Sequence, residues 1–267
     1  AKLKGQPGEM FPPFVVVEEG EDIQIEIAKL KDIIRKTIFS TSSEKSRYEL
    51  DGVKFVLKNK TLQCISTDGR RLSYYEYQHE SLPDTELSVL IPSKTLQEVQ
   101  NALPDEGDVL VRLAERKVQF VCGDTTIISN LLIDNFPQYE RIIPPEGTLK
   151  IKIDRSNFAS AVKRASNLTS VDTNMIILRV SPGSLEVMGE REEVGGEGRD
   201  MIDVEYEGEP VEVRYNYRFL IEYLRVAEAE KIILDLNDPK RPGVFIEKDK
   251  PEYKYVLMPM RPPEQES

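Results

Sequence analysis

The chain has 267 residues, enough for about two domains at roughly 100–200 residues each. Hydrophobic residues make up 39% and charged residues 31%, a globular balance, and no stretch approaches the ~20 apolar residues of a membrane helix. Two cysteines and one histidine argue against a disulfide scaffold or a zinc site, and a net charge of −11 argues against a simple nucleic-acid binder. No charged start followed by an apolar block opens the chain, so a cytoplasmic protein is expected.

In chain order, Phe11-Pro12-Pro13-Phe14 runs into an apolar stretch. An alternating strand, Ile23–Ile27, follows, then a helix whose Leu30, Ile33, Ile34, Thr37 and Ile38 share a face. Turn signals at Leu50-Asp51-Gly52 and Lys58-Asn59-Lys60 separate short strands. Cys64 and Cys122 lie in strand-like apolar runs and are expected to be buried thiols. His79, in a polar stretch, is expected to be an exposed loop residue. A second helix carries Leu96, Val99 and Leu103 and precedes the strand Val109–Leu113.

The pattern then repeats. Phe136-Pro137-Gln138-Tyr139 echoes Phe11-Pro12 at an offset of 125 residues, and strand Leu149–Ile153 echoes Ile23–Ile27 at an offset of 126. Phe158, Ala159, Ala161, Val162 and Ala165 form the matching helical face, Ser184–Met188 the matching strand, Phe219–Leu224 the second helix and Ile232–Leu236 the next strand. Pro182-Gly183 and Asp238-Pro239 are turns, and Gly189–Asp200 is expected to be a flexible hairpin loop. Such a period is too long for a solenoid and reads as domain duplication in an α+β fold of antiparallel strands backed by helices. The expected units are 21–145 and 146–261. Residues 1–20 would be the tail of an earlier copy, and 262–267 a disordered tail.

Three segments carry a resemblance over most of the chain: Ser66-Thr67-Asp68-Gly69-Arg70-Arg71-Leu72, Phe136–Pro144, and Tyr255-Val256-Leu257-Met258-Pro259-Met260-Arg261. In that order and spacing the chain resembles the bacterial replicative sliding clamp, the beta subunit of DNA polymerase III. The resemblance implies duplicated clamp domains with antiparallel sheets outside and two helices each inside. It also implies a non-catalytic processivity factor that encircles duplex DNA as a head-to-tail homodimer ring, without cofactor or metal. Polymerase subunits, the clamp loader and repair proteins would dock through short apolar peptides. Ring closure in the family uses the first of three domains, so this chain alone is expected not to close a ring.

Family pocket positions fall here on Leu50, Thr67, Gly69, Arg70, Arg71, Leu72, Pro137, Arg141 and Ile142, and on Asn216, Phe219, Pro242, Val256, Met258, Pro259, Met260 and Arg261. By this reading Leu72, Phe219, Val256 and Met258 wall an apolar slot, and methionine suits several partners. Arg71, Arg141 and Arg261 supply a polar rim, and Asn216 an amide for backbone pairing. Arg70 and Thr173 depart from the residues that relatives carry there.

Charge offers a separate test. The four predicted helices carry a net +6 in a chain of −11. A solvated polar face explains this as well as a phosphate-facing one. With the resemblance, Lys31, Arg35, Lys36, Lys94, Lys163 and Arg164 are expected to face DNA, joined by Arg47 and Tyr48. Catalytic signatures are lacking: no phosphate loop, no nucleophile elbow, and Gly195-Gly196-Glu197-Gly198 has no strand–turn–helix context. The alternatives are a protein scaffold without a DNA role, and a hydrolase using carboxylates on a duplicated α+β fold.

Overall fold

The computed structural model describes residues 5, 7, 10, 17–42, 44, 46–169, 173–191 and 196–261. The Phe11-Pro12 landmark and the 262–267 tail lie outside them.

The first half runs β1 (Glu21–Glu26), α1 (Ile27–Thr37), β2 (Gly52–Lys58), β3 (Thr61–Thr67), β4 (Arg71–Gln78), β5 (Leu87–Pro92), α2 (Ser93–Ala102), β6 (Asp108–Leu113), β7 (Lys117–Cys122) and β8 (Thr125–Asn130). The second half repeats this order. It runs β9 (Leu149–Asp154), α3 (Arg155–Ser166), β10 (Met175–Ser181), β11 (Ser184–Arg191), β12 (Gly196–Glu205), β13 (Val211–Asn216), α4 (Tyr217–Val226), β14 (Lys231–Leu236), β15 (Gly243–Glu247) and β16 (Lys250–Leu257).

The repeat extends to single hydrogen bonds. A helix leaves its first N–H groups without intrahelical partners. In α1 the Ile27 N–H donates to the Gly107 carbonyl at 2.9 Å, and in α3 the Arg155 N–H donates to the Glu230 carbonyl at 2.9 Å. Likewise Ser93 of α2 donates to Asp51, and Tyr217 of α4 to Asn174. Equivalent loops thus close equivalent helix starts. Two helices add a side-chain cap. The Asp154 carboxylate accepts the Asn157 N–H at 2.8 Å, and the Asn216 side chain accepts the Arg218 N–H at 3.0 Å.

The strands form a four-stranded sheet, β1-β6-β7-β8, and a twelve-stranded sheet, β13-β10-β11-β12-β9-β14-β15-β16-β4-β3-β2-β5. The long sheet crosses from one half to the other where β16 pairs antiparallel with β4, in the register Tyr253↔Tyr75, Tyr255↔Ser73, Val256↔Leu72 and Leu257↔Arg71. The helices pack as a contiguous row, α2 on α1, α1 on α4 and α4 on α3. One continuous apolar core draws on both halves.

Polar contacts reinforce the junction. Lys36 of α1 is fully buried, its Nζ 2.9 Å from Oε1 of the equally buried Glu247. The other Glu247 oxygen accepts the Glu228 and Ala229 N–H groups, each at 2.6 Å. Rings of Tyr75 and Tyr253 lie 5.9 and 5.2 Å from the ammonium. Burial pushes the Tyr223 and Tyr253 phenols well above their ordinary range, so these hydroxyls stay neutral beside Glu247. Arg35 bridges the same boundary, reaching the Val226 carbonyl at 2.9 Å and Glu228 at 2.5 Å.

Three expectations change. Gly189–Asp200 is not a loop over most of its length, because β11 and β12 continue through it, pairing Gly189 with Gly198 and Glu190 with Glu197. Gly189 permits this by lying against α3, where a Cβ would collide with the Ala165 carbonyl. Lys36 cannot face DNA, since α1 turns it into the junction. Cys64 is buried, and burial pushes its thiol up, but Cys122 is only half-buried. His79 is exposed and stacked on Tyr77.

Removing one member of a buried pair strands the other charge, whereas replacing both with apolar residues does not. Lys36→Met or Glu247→Leu alone is expected to lower stability by about 3–5 kcal/mol, and the double variant to recover most of that loss, read by urea unfolding.

Candidate functional site

The β3–β4 turn is built by its own side chains. Thr67 Oγ1 donates to the Arg71 carbonyl at 2.6 Å and accepts the Gly69 N–H at 3.0 Å. Asp68 Oδ1 accepts the N–H groups of Arg70 and Arg71 at 2.9 and 3.0 Å. Gly69 has φ +86°, a left-handed geometry that glycine adopts without strain. The turn presents Gly69 and Arg70 to solvent, and the Arg70 side chain has no partner among the described residues.

The segment after β16 lies beside this turn. Met258 N–H donates to the Arg70 carbonyl at 3.0 Å, and Met260 N–H to the Arg214 carbonyl of β13 at 2.8 Å. Met258–Arg261 thereby bridges the first half to the edge of β13. It borders a groove of about 680 Å³ lined by Glu212, Val213, Arg214, Pro239, Lys240, Met258, Pro259, Met260 and Arg261. Met258 is 43% exposed, a large apolar side chain left facing solvent.

Four expected residues, Met258, Pro259, Met260 and Arg261, line this groove, and Arg70 abuts it. Leu72 and Val256, expected to wall the slot, are buried. As a cross-strand pair they point into a buried cluster with Ile65, Tyr139 and Val244, on which half-buried Ile142 packs. Leu50 and Thr67 are buried as well, while Phe219, Pro137 and Pro242 are half-buried. The Asn216 carbonyl oxygen serves as the α4 cap. Arg141 and Arg261 are exposed.

Arg71 is not a rim residue. Only 7% exposed, its guanidinium bonds to Asp68 Oδ2 at 2.9 Å, to Glu222 of α4 and to the Phe39 carbonyl at 2.6 Å. It sits 4.4 Å from the Phe219 ring centre and 5.4 Å from that of Phe39. A planar cation with several donors suits this crowded position. Arg71 thus ties Phe219 to the β3–β4 hairpin from beneath. Glu212, Arg214, Pro239 and Lys240 were missed, because β13 and the β14–β15 loop approach the C-terminal segment only in the fold.

The expected DNA-facing cations separate into two groups. Lys94, Lys163 and Arg47 are exposed without ion-pair partners among the described residues, and Arg47 stacks 4.7 Å from the half-buried Tyr48 ring. Lys31 is held by Asp105 at 2.8 Å, Arg35 by Asp32 and Glu228, and Arg164 by Asp200. Arg218 and Arg225 of α4 are exposed and likewise unpaired among the described residues. The acidic residues nearest them in sequence pair elsewhere: Glu222 with Arg71, and Glu228 with Arg35 and Lys250.

Comparison with known proteins gives two consecutive matches. The family model for the DNA polymerase III beta subunit, central domain, matches residues 24–138, and that for the C-terminal domain matches residues 140–261. The chain belongs to the DNA polymerase III beta subunit family. It is 30% identical over 263 residues to the beta sliding clamp of Pseudomonas putida, covering 97% of this chain and 71% of that protein. It is 27% identical to the beta sliding clamp of Chlamydia muridarum, covering 97% and 70%. The beta subunit from Pseudomonas aeruginosa superposes with a TM-score of 0.91 at 28% identity, covering 96% of this chain and 70% of that one. That from Thermotoga maritima gives 0.88 at 26% identity, with the same coverage. These clamp structures match an α+β architecture of mainly antiparallel sheets with four helices.

The two adjacent arginines should respond differently to truncation. Arg71→Ala is expected to lower stability by about 3 kcal/mol by stranding Glu222 and Asp68 at the junction. Exposed Arg70→Ala should stay within about 0.5 kcal/mol of the parent in the same urea titration.

Proposed function

We propose that this chain serves as a sliding clamp, a processivity factor that holds DNA polymerase on duplex DNA and docks partner proteins by short peptides. It acts by binding and positioning and catalyses no reaction. The observation that carries the docking reading is the groove of the second half beside the β3–β4 turn, with exposed Met258 and half-buried Met260 on a segment whose backbone is bonded to Arg70 and Arg214. Flexible, polarisable methionines can accept several apolar anchors, while the Arg70 and Arg214 bonds keep the backbone in place.

The DNA reading rests on charge separation. Lys94, Lys163, Arg218 and Arg225 leave cations free on the helix row of a chain whose net charge is −11. Such cations attract phosphates without reading bases, as a tracking protein needs, and the acidic remainder discourages binding elsewhere. The helix row is the side that faces the duplex. Partners would be duplex DNA and polymerase, clamp-loader and repair proteins.

A labelled Gln-Leu-x-Leu-Phe peptide titrated into the protein should give saturable anisotropy with a Kd of about micromolar order. Met258→Ala with Met260→Ala should weaken it about tenfold, and a folded sample that binds no such peptide would remove the docking reading. For DNA, Lys94→Glu with Lys163→Glu should reduce the slope of log affinity against log salt by about one per residue. An unchanged slope would exclude these lysines from the phosphate path.

A further inference from the structure

The charges around the groove are unevenly satisfied. Glu212 is fully engaged, 2.7 Å from Arg179 Nε and 2.6 Å from Arg214 Nη2. Lys240 and Arg261 line the same groove, both exposed, and neither has an ion-pair partner among the described residues. Arg241, beside Lys240, is in the same condition. The nearest carboxylate in sequence, Asp238, accepts the Lys240 backbone N–H at 2.8 Å, and its carbonyl accepts the Arg241 N–H at 3.0 Å. Elsewhere on this half, off the helix row, Lys150, Lys152, Lys231 and Lys250 each face a glutamate, whereas, among the described residues, Lys163, Arg218 and Arg225 on the helices do not. Unpaired cations gathered at one groove of an acidic chain mark where an anionic partner is accommodated.

The apolar part of the groove constrains the partner further. Met258, Met260, Pro239 and Pro259 offer contact to an apolar side chain, and among the described residues β13 ends its sheet, with β10 as its strand neighbour and one bond from Met260 to Arg214 on its outer side. An edge strand beside an apolar groove suits an extended peptide. We propose that the groove takes an extended peptide carrying carboxylates next to its apolar anchor, the acids meeting Lys240 and Arg261 and the anchor meeting Met258 and Met260. This deepens the docking reading above, and rests on it, by naming the class of peptide preferred. The rim is solvated, so the preference is modest and screened by salt.

The test uses the full chain and four labelled peptides. A Gln-Leu-x-Leu-Phe core is extended by two glutamates at its N-terminal or its C-terminal end, and each peptide has a glutamine twin. At low salt one acidic peptide should bind about fivefold tighter than its twin, and the ratio should approach one in Lys240→Ala with Arg261→Ala and at high salt. Equal binding of both twins by the parent protein would overturn the proposal while leaving docking intact. Failure of all four peptides on a folded sample would remove the docking reading and this proposal with it. An acidic preference seen only in a chain ended at Arg261 would assign the cations to Glu264 and Glu266 of the chain's own tail, overturning the proposal.

Discussion

The structure turns on the contact between α1 and β15, where Lys36 meets Glu247 out of reach of water. Two desolvated charges are a poor source of stability against an apolar alternative. They are, however, a strict demand on geometry, because any relative shift of the halves strands both. Glu247 is further fixed by the two N–H groups that follow α4. The antiparallel join of β4 and β16 supplies the continuous backbone bonding, and the buried tyrosines fill the space between. The ion pair therefore specifies how the halves meet, while the apolar core makes the meeting favourable.

That fixed junction decides which surface charges are available. Glu222 and Glu228 lie on α4 and its C-terminal extension, yet they neutralise Arg71, Arg35 and Lys250 instead of Arg218 and Arg225. The cations left over lie on the helix row. A chain with a surplus of acid thus retains free positive charge where helices pack side by side, and net charge is a poor guide to local field.

The same logic shapes the groove. Arg71 and the Leu72–Val256 pair lie beneath the surface and hold Phe219, the β3–β4 hairpin and β16 in register. The accessible chemistry falls to Arg70, Met258, Met260, Lys240 and Arg261. Residues that position a site and residues that touch a partner stand next to one another in sequence, and burial separates them.

Much of this was legible from residues alone. Apolar spacing located the helices to within two residues, and the duplicated landmarks showed one unit made twice, because a core face must recur with the period of its element. The motif Thr67–Leu72 and the segment Val256–Arg261 marked the region of the groove. Sequence could not separate Arg70 from Arg71, since only the arrival of Glu222, Phe219 and Phe39 makes one of them structural. Nor could it show that Lys36 is buried, because its partner lies 211 positions away. Periodicity, a local property, thus determined the elements and their repetition. Which charges are free, which side chains are covered and where the groove opens depend on long-range contacts, and only the tertiary structure decided them.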